Sequence, residues 1–364
     1  MLKATGLAAL GAGLSACAPR QTGSLVWPAA PRRFARVHVS EDRIIRTVVG
    51  LRPYRPSGFV VCAEKLGDKT VVHNYGHGGG GITLSWGTSE LAVDEAWATG
   101  EKRFAVLGCG AVGLASARLL QQRGADVTIY AKDLPPQTTS NIAGGQWSPT
   151  SVMDQDRRTP DSDARLARAA RLSHRRYQQL PAAEFGIRWI ENYVLSDRPL
   201  QPWWEQELTR DLYPEWRDLR PGEHPFPTSH ARHFTTLLVE PHVYLTAMLR
   251  DVRLAGGRVV VRELAGREQL ADLPEPVVMN CTGLGAKALF GDEELEPVRG
   301  QLTFLLPQPE VDYIVIADGL YMFPRRDGIL LGGTFEHGNW SLDADEATRR
   351  RIVDGHRALF DGMR

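Results

Sequence analysis

Cysteine is scarce in this 364-residue chain, which has four: Cys17, Cys62, Cys109 and Cys281. None forms a C-x-x-C pair or falls at zinc spacing, which argues against a disulfide framework and a structural zinc site. Excess charge is missing too, with Lys+Arg and Asp+Glu both at 43 and a formal net charge of zero. No global basic field exists to draw in nucleic acid or a membrane surface. Repeats are absent, and beyond the N-terminal segment no apolar run reaches the roughly 20 residues that span a bilayer. His224, His230, His233 and His242 follow neither H-E-x-x-H nor a carboxylate-supported pattern, so no metal is expected. No Ser or Cys nucleophile with a paired base is evident. The length suits about two domains and a large core.

Residues 1–17 differ from the rest. Ala4 to Ala16 is small and mostly apolar behind Lys3, too short for a span but suited to an export signal. Leu14-Ser15-Ala16-Cys17 looks like the lipobox of a bacterial lipoprotein, which makes Cys17 a candidate lipid anchor. The opening MLKATG also resembles the tail of a twin-arginine signal without its arginines. An exported, membrane-anchored protein is expected, with a cytoplasmic protein carrying a non-functional extension as the alternative. Residues 18–35, rich in Pro, Ala and Arg, read as a linker.

The stretch from Phe104 to Asp133 organises the remainder. An apolar run, Phe104 to Leu107, leads into G-x-G-x-x-G as Gly108, Gly110 and Gly113. Leu114, Ala117, Leu119 and Leu120 form one helical face, and Gly124 stands at the C-cap. Val127 and Ile129 alternate with polar residues like a second strand. The glycines allow a tight turn and close backbone approach, and the helix N-terminus faces a pyrophosphate with free N–H groups. Asp133 falls near the place where such units hold an adenosine ribose. A dinucleotide site is expected, and this stretch alone does not separate NAD from FAD.

Around it, Val37 to Val61 has strand character. Thr70 to Gly87 reads as a strand, a glycine-rich turn and an apolar run, with a helix over Ser89–Thr99. A loop of small residues follows the βαβ unit, then a helix over Asp163–Leu180. Pro181 to His233 carries Trp189, Trp203, Trp204 and Trp216 among prolines and reads as irregular and aromatic-packed. Val243 to Leu254 is a helix ended by Gly256-Gly257, and Val259–Val261 and Val277–Met279 are short buried strands. From Arg299, four apolar runs at hairpin spacing suggest an antiparallel sheet, and Asp343 to Phe360 an amphipathic helix.

Taken together, VLGCGAVGL, YAKDLPPQTTSNIAGGQW, NCTGLGAKAL, PVRGQ, LGGTFEHGNW, GLRPYRP and HNYGHGGGGIT resemble the D-amino-acid oxidase family of FAD enzymes, D-aspartate oxidases included. The resemblance implies an α/β protein with a Rossmann-like FAD-binding domain on a parallel sheet. A second, substrate domain would rest on an antiparallel sheet. The family places the last two signatures at its C-terminal end, whereas here they precede the glycine motif, so the chain looks circularly permuted. Residues near Arg364 and Ala35–Val39 are then expected to be spatial neighbours. The implied division is 36–67 substrate strands, 68–160 FAD-binding core, 161–235 substrate domain, 236–297 second FAD-binding part and 298–364 second substrate part.

The resemblance also implies roles. Arg52, which local sequence alone reads as a surface arginine in a Pro-bounded strand, becomes the anchor of a substrate carboxylate through two parallel bonds. Gly78, Gly79, Gly80 and Gly81 pass against the flavin, with the Gly79 carbonyl offered to the substrate amine and Ile82 beside them. Thr83 resembles the residue that bonds the flavin's pyrimidine end. Thr138, Thr139, Ser140, Gly145 and Gln146 hold phosphate or ribityl oxygens, and Val112, Lys132, Leu264 and Thr282 complete the FAD contacts with Gly108, Gly110, Gly113 and Asp133. His230 stands where the family commonly presents a tyrosine, and Tyr321 is a further pocket candidate. The implied reaction takes a D-amino acid to its 2-oxo acid, ammonia and hydrogen peroxide. A hydride would pass from Cα to flavin N5, with oxygen as acceptor. Alternatives are an amine oxidase for glycine, N-methyl amino acids or D-aspartate, and a secreted binding protein without turnover.

Overall fold

The computed structural model describes residues 34–364, so the signal over 1–17, Cys17 and the linker up to residue 33 lie outside the described residues. The chain opens with β1 (Ile44–Tyr54), β2 (Val60–Leu66) and β3 (Lys69–Tyr75), then α1 (Gly81–Trp97), β4 (Arg103–Leu107), α2 (Ala111–Gln122) and β5 (Asp126–Ala131). Next come α3 (Thr139–Ile142), α4 (Pro160–Gln179), α5 (Ala182–Phe185), β6 (Ile187–Ser196), α6 (Trp204–Leu208), β7 (Arg217–Leu219) and β8 (His230–Val239). Then α7 (Pro241–Leu254), β9 (Arg258–Val261), β10 (Val277–Asn280) and α8 (Gly285–Phe290) lead to β11 (Glu296–Leu305). The last elements are β12 (Tyr313–Ala317), β13 (Leu320–Arg325), β14 (Gly328–Gly332), β15 (Glu336–His337) and α9 (Glu346–Asp361).

These build a mixed α/β fold on two sheets. One has six strands in the order β2-β3-β10-β4-β5-β9, parallel throughout except for the antiparallel edge strand β2. The other has nine, in the order β1-β11-β14-β13-β12-β6-β8-β7, with β15 beside β11. Its pairs are antiparallel apart from β12 on β6. The largest apolar cluster lies under α1, α2 and α7 and includes Val106, Leu114, Trp147 and Tyr244. The opposite face of the parallel sheet is covered by Leu270 and Leu273 over Val71, Leu107 and Val278.

Several expectations change. The apolar run after the glycine turn is helix, continuous from Gly81, and the helix does not wait for Ser89. An apolar run without periodicity reads equally as buried strand or buried helix, and α1 is buried on nearly every side. At Gly87 a Cβ would lie 1.8 Å from the Ala169 carbonyl, so α1 and α4 meet backbone to backbone. The Gly87 N–H also donates to Ser173 Oγ at 3.0 Å. The stretch read as irregular contains β6 and the first four residues of β8, two strands that pair over ten residues. Sheet membership also departs from the expected boundaries. Strand β2 belongs to the six-stranded sheet, and β8 carries the nine-stranded sheet to Val239.

Local signals explain the helix ends. Thr159 and Ser162 form a reciprocal capping box with Pro160 at the first position of α4, and Asp345 caps α9 by accepting from the Thr348 N–H. The two ends of the described chain meet: Arg36 Nη2 donates to the Met363 carbonyl at 2.8 Å, and Tyr313 Oη to the Ala35 carbonyl at 2.6 Å.

Candidate active site

Four neighbouring strands, β3, β10, β4 and β5, run parallel, so each delivers its C-terminal loop to the same edge of the sheet. Those loops are Gly76–Gly81 after β3, Cys281–Gly283 after β10, Gly108–Gly110 after β4 and Lys132–Asp133 after β5. The glycine motif and the second glycine cluster therefore lie at one edge of the parallel sheet.

The first cradle is built by absent side chains. Gly108 has φ +98°, and a Cβ there would sit 2.5 Å from the Cys281 carbonyl oxygen. A Cβ on Gly113 would lie 2.1 Å from the Gly108 carbonyl oxygen, so glycine lets α2 close onto the turn. A helix start leaves N–H groups without intrahelical acceptors. Here the Ala111 N–H donates to Ser140 Oγ at 3.0 Å, which ties the loop carrying Thr138 and Thr139 to the glycine motif. Thr138 Oγ1 donates to Asn141 Oδ1 at 2.7 Å, and Thr282 Oγ1 to Asn280 Oδ1 at 2.7 Å. Leu264 packs against the apolar cluster that includes Leu107 and Tyr130, and Val112 against the main core. Lys132 and Asp133 are exposed beyond β5, with Lys132 Nζ 3.8 Å from Glu263.

The second cradle, Gly76–Gly81, lies against 150–152. The Gly79 N–H donates to the Ser151 carbonyl at 2.9 Å. A Cβ on Gly78, where φ is +52°, would lie 2.2 Å from that oxygen and 2.9 Å from Tyr54 Cδ2. His77, the one side chain of size in the loop, is buried. It stacks on Phe59 with ring centroids 5.6 Å apart, and its Nε2 is 2.9 Å from Thr88 Oγ1. Since that hydroxyl donates to the Leu84 carbonyl, His77 carries its proton on Nε2. Burial pushes its pKa down to about 3. The Thr83 hydroxyl both donates to the Ser148 carbonyl and accepts from the Ser148 N–H, so its proton is committed to pinning α1. Gly145, at φ +95°, and Gln146 are stitched to the nine-stranded sheet: the Gly145 carbonyl accepts from Val239 N–H, and Gln146 Nε2 donates to Asn192 Oδ1.

Strand β1 brings Arg52 to this edge. Its neighbour Pro53 lies 3.8 Å from where a Gly283 Cβ would be, and Tyr54 touches the Gly78 turn. Arg52 Nη2 donates to Tyr321 Oη at 3.2 Å, while Nη1 reaches the Thr334 and Val298 carbonyls at 3.4 and 3.5 Å. The Phe335 ring sits 5.2 Å from the guanidinium carbon. Among the described residues no carboxylate pairs with Arg52, whereas Arg55, Arg299 and Arg325 nearby all have one. Two glycines make the space, which sequence reasoning missed: a Cβ on Gly300 would lie 2.6 Å from Arg52 Nη1, and one on Gly332 2.0 Å from the Tyr321 ring. Gly300 sits within the PVRGQ signature and Gly332 within LGGTFEHGNW, which is all the hint the sequence offered. Among the described residues His230 makes no hydrogen bond to Arg52 or Tyr321, whose bonds run to other groups. It lies on β8 opposite Ser196 of β6, three strands from Tyr321 across the sheet, about 14 Å at the usual strand spacing.

A family model described as FAD dependent oxidoreductase matches residues 18–95 and 103–364. The chain belongs to the FAD dependent oxidoreductase family. A D-amino-acid oxidase of Rubrobacter xylanophilus is 32% identical over 275 residues, covering 72% of this chain and 78% of that one. A Homo sapiens D-aspartate oxidase is 29% identical, covering 71% and 75%. In fold, the chain is similar to a glycine oxidase from Bacillus cereus, with a TM-score of 0.53 at 14% identity over 71% of this chain and 78% of that one. The iminodiacetate oxidase of a Chelativorans species gives 0.54 at 18% identity, covering 71% of this chain and 79% of that one. The geometry fits the family's cofactor. Glycine at 108, 110 and 113 lets the turn, α2 and the loop carrying Ser140 close on one another where a Cβ would clash, and the buried Asn192 Nδ2, beside Gln146, has no partner among the described residues.

Proposed function

We propose that this chain oxidises D-amino acids, with water and oxygen as co-substrates, to 2-oxo acids, ammonia and hydrogen peroxide. The observation that carries the reading is the half-buried guanidinium of Arg52, bonded to Tyr321 Oη and left without an acidic partner among the described residues. A guanidinium so placed takes a carboxylate through two parallel N–H···O bonds, and the tyrosine hydroxyl adds a third donor. FAD, when bound, supplies the acceptor for the electron pair. The Gly108–Gly113 turn would hold its pyrophosphate, with Ser140 and Thr138–Thr139 alongside, and the backbone of Gly78–Gly81 would face its ring. The Gly79 carbonyl would accept from a neutral substrate amine, which fixes Cα between two anchors. No side chain of the site need act as a base; positioning carries the chemistry. A panel of D-amino acids read by peroxide release tests this. Oxidation of D-alanine but not L-alanine supports it, and turnover of only glycine or sarcosine would make the chain an amine oxidase of the related kind.

The chain order is, in this reading, a circular permutation. It is supported by the contacts of Arg36 with Met363 and of Tyr313 with Ala35. The five-residue link between α1 and β4 would then be the join.

A further inference from the structure

We infer that Glu205 is a positioning residue for the Gly78–Gly81 loop, acting through the backbone of Ser151. The inference rests on the reading that this loop lies against the flavin ring. Ser151 is one of three non-glycine residues with positive φ among the described residues, at +58°. A side chain disfavours that conformation, so something must hold it. The holder is visible. Glu205 Oε1, on a residue 5% exposed, accepts the Ser151 N–H at 3.1 Å. With its N–H so fixed, Ser151 turns its carbonyl onto the Gly79 N–H at 2.9 Å. Contacts follow along the segment: a Cβ on Gly79 would lie 3.1 Å from Ser151 Cβ, and one on Gly80 2.7 Å from Val152 Cγ1.

The second attachment of this segment is Asp154, which accepts from Tyr54 Oη and donates its N–H to the Pro56 carbonyl at 2.9 Å. Tyr54 is two residues from Arg52 and shares Phe335 with it as an aromatic neighbour. The 151–154 segment thus joins the loop after β3 to the strand that carries the carboxylate anchor, and Glu205 sets its conformation from α6. Burial pushes the Glu205 carboxyl up from its ordinary value, opposed by its own N–H, the Ser151 N–H and Arg158. A carboxyl kept in such a place costs stability on its own account, and the Ser151 backbone is the partner it is seen to serve.

The test uses full-chain holoenzyme: the parent, Glu205→Ala, Ser151→Val and the double variant Glu205→Ala with Ser151→Gly. FAD release on dilution is followed by free-flavin fluorescence, beside the visible flavin spectrum. Glu205→Ala is expected to release FAD about tenfold faster or more, since a left-handed residue loses its support. Ser151→Val, with the carboxylate intact, is expected to do the same, because a β-branched residue resists positive φ. Glycine adopts it freely, so the double variant is expected back within about threefold of the parent. Parental release from Glu205→Ala or Ser151→Val overturns the inference, as does a double variant that glycine does not rescue. If Glu205→Ala fails to fold, a folded double variant supports the inference and an unfolded one overturns it. None of these readouts needs amino-acid turnover, so a failure of the proposed reaction would leave them interpretable.

Discussion

Replacing Arg52 by alanine should remove the carboxylate anchor while leaving the cofactor site intact. The guanidinium has five N–H donors. Its contacts to the Thr334 and Val298 carbonyls, at 3.4 and 3.5 Å, lie at the long limit of hydrogen bonding, so most of its donating capacity is free for a ligand. Truncating one partner of a desolvated charge pair costs about 2–5 kcal/mol. Arg52 is only half-buried, which places it near the lower end, about 2–3 kcal/mol, or about 30- to 150-fold in kcat/KM. Arg52→Lys keeps the charge without the fork and should fall between the two. The assay is peroxide release over a D-alanine concentration series, with rates normalised to flavin absorbance so that FAD loss is counted separately. Equal kcat/KM for Arg52→Ala and the parent at full flavin content would remove Arg52 from the mechanism.

Gly300→Ala should raise KM with little change in melting temperature, because its Cβ meets the movable end of Arg52 at 2.6 Å and not backbone. Gly87→Ala is different: its Cβ meets the Ala169 carbonyl at 1.8 Å, and thermal melting should show overpacking of at least about 1–3 kcal/mol. His77 and His356 are both buried, with pKa values pushed by burial down to about 3 and about 4. Between those values and an ordinary 6.5 the unfolded chain binds more protons, so stability should fall as pH drops from 7, by up to about 2 kcal/mol per histidine at pH 5. Urea midpoints at pH 7 and 5 read this, and His356→Gln should flatten the decline. Finally, a chain opened between Gly100 and Lys102, with Arg364 joined to Ala35, should fold to the same structure and bind FAD; failure to fold would count against the permutation.

Much of the fold was legible because it is carried by local patterns. The Phe104–Asp133 unit is a strand, turn and helix whose periodicities change at the glycines, and the structure follows them nearly residue for residue. The capping of α4, with Thr159 and Ser162 around Pro160, is equally local, although read from sequence that helix starts only at Asp163. The start of α1 was not legible, because a segment buried on nearly every side has no polar face to reveal its period. Strand partners were hidden for a similar reason. Nothing local in β2 says that it joins the parallel sheet, or in β6 that it takes β12 in parallel.

At the site the division is sharper. The sequence by itself determined that a glycine-rich turn opens a helix, that Arg52 lies in a Pro-bounded strand, and that both belong to signatures of one family. Only the tertiary structure decided that Arg52 finds Tyr321, that Gly300 and Gly332 clear the room, and that Glu205 accepts the Ser151 N–H. Chain chemistry fixes what each short segment can adopt. Which distant groups meet depends on strand order and register, and those are settled by packing across the whole molecule.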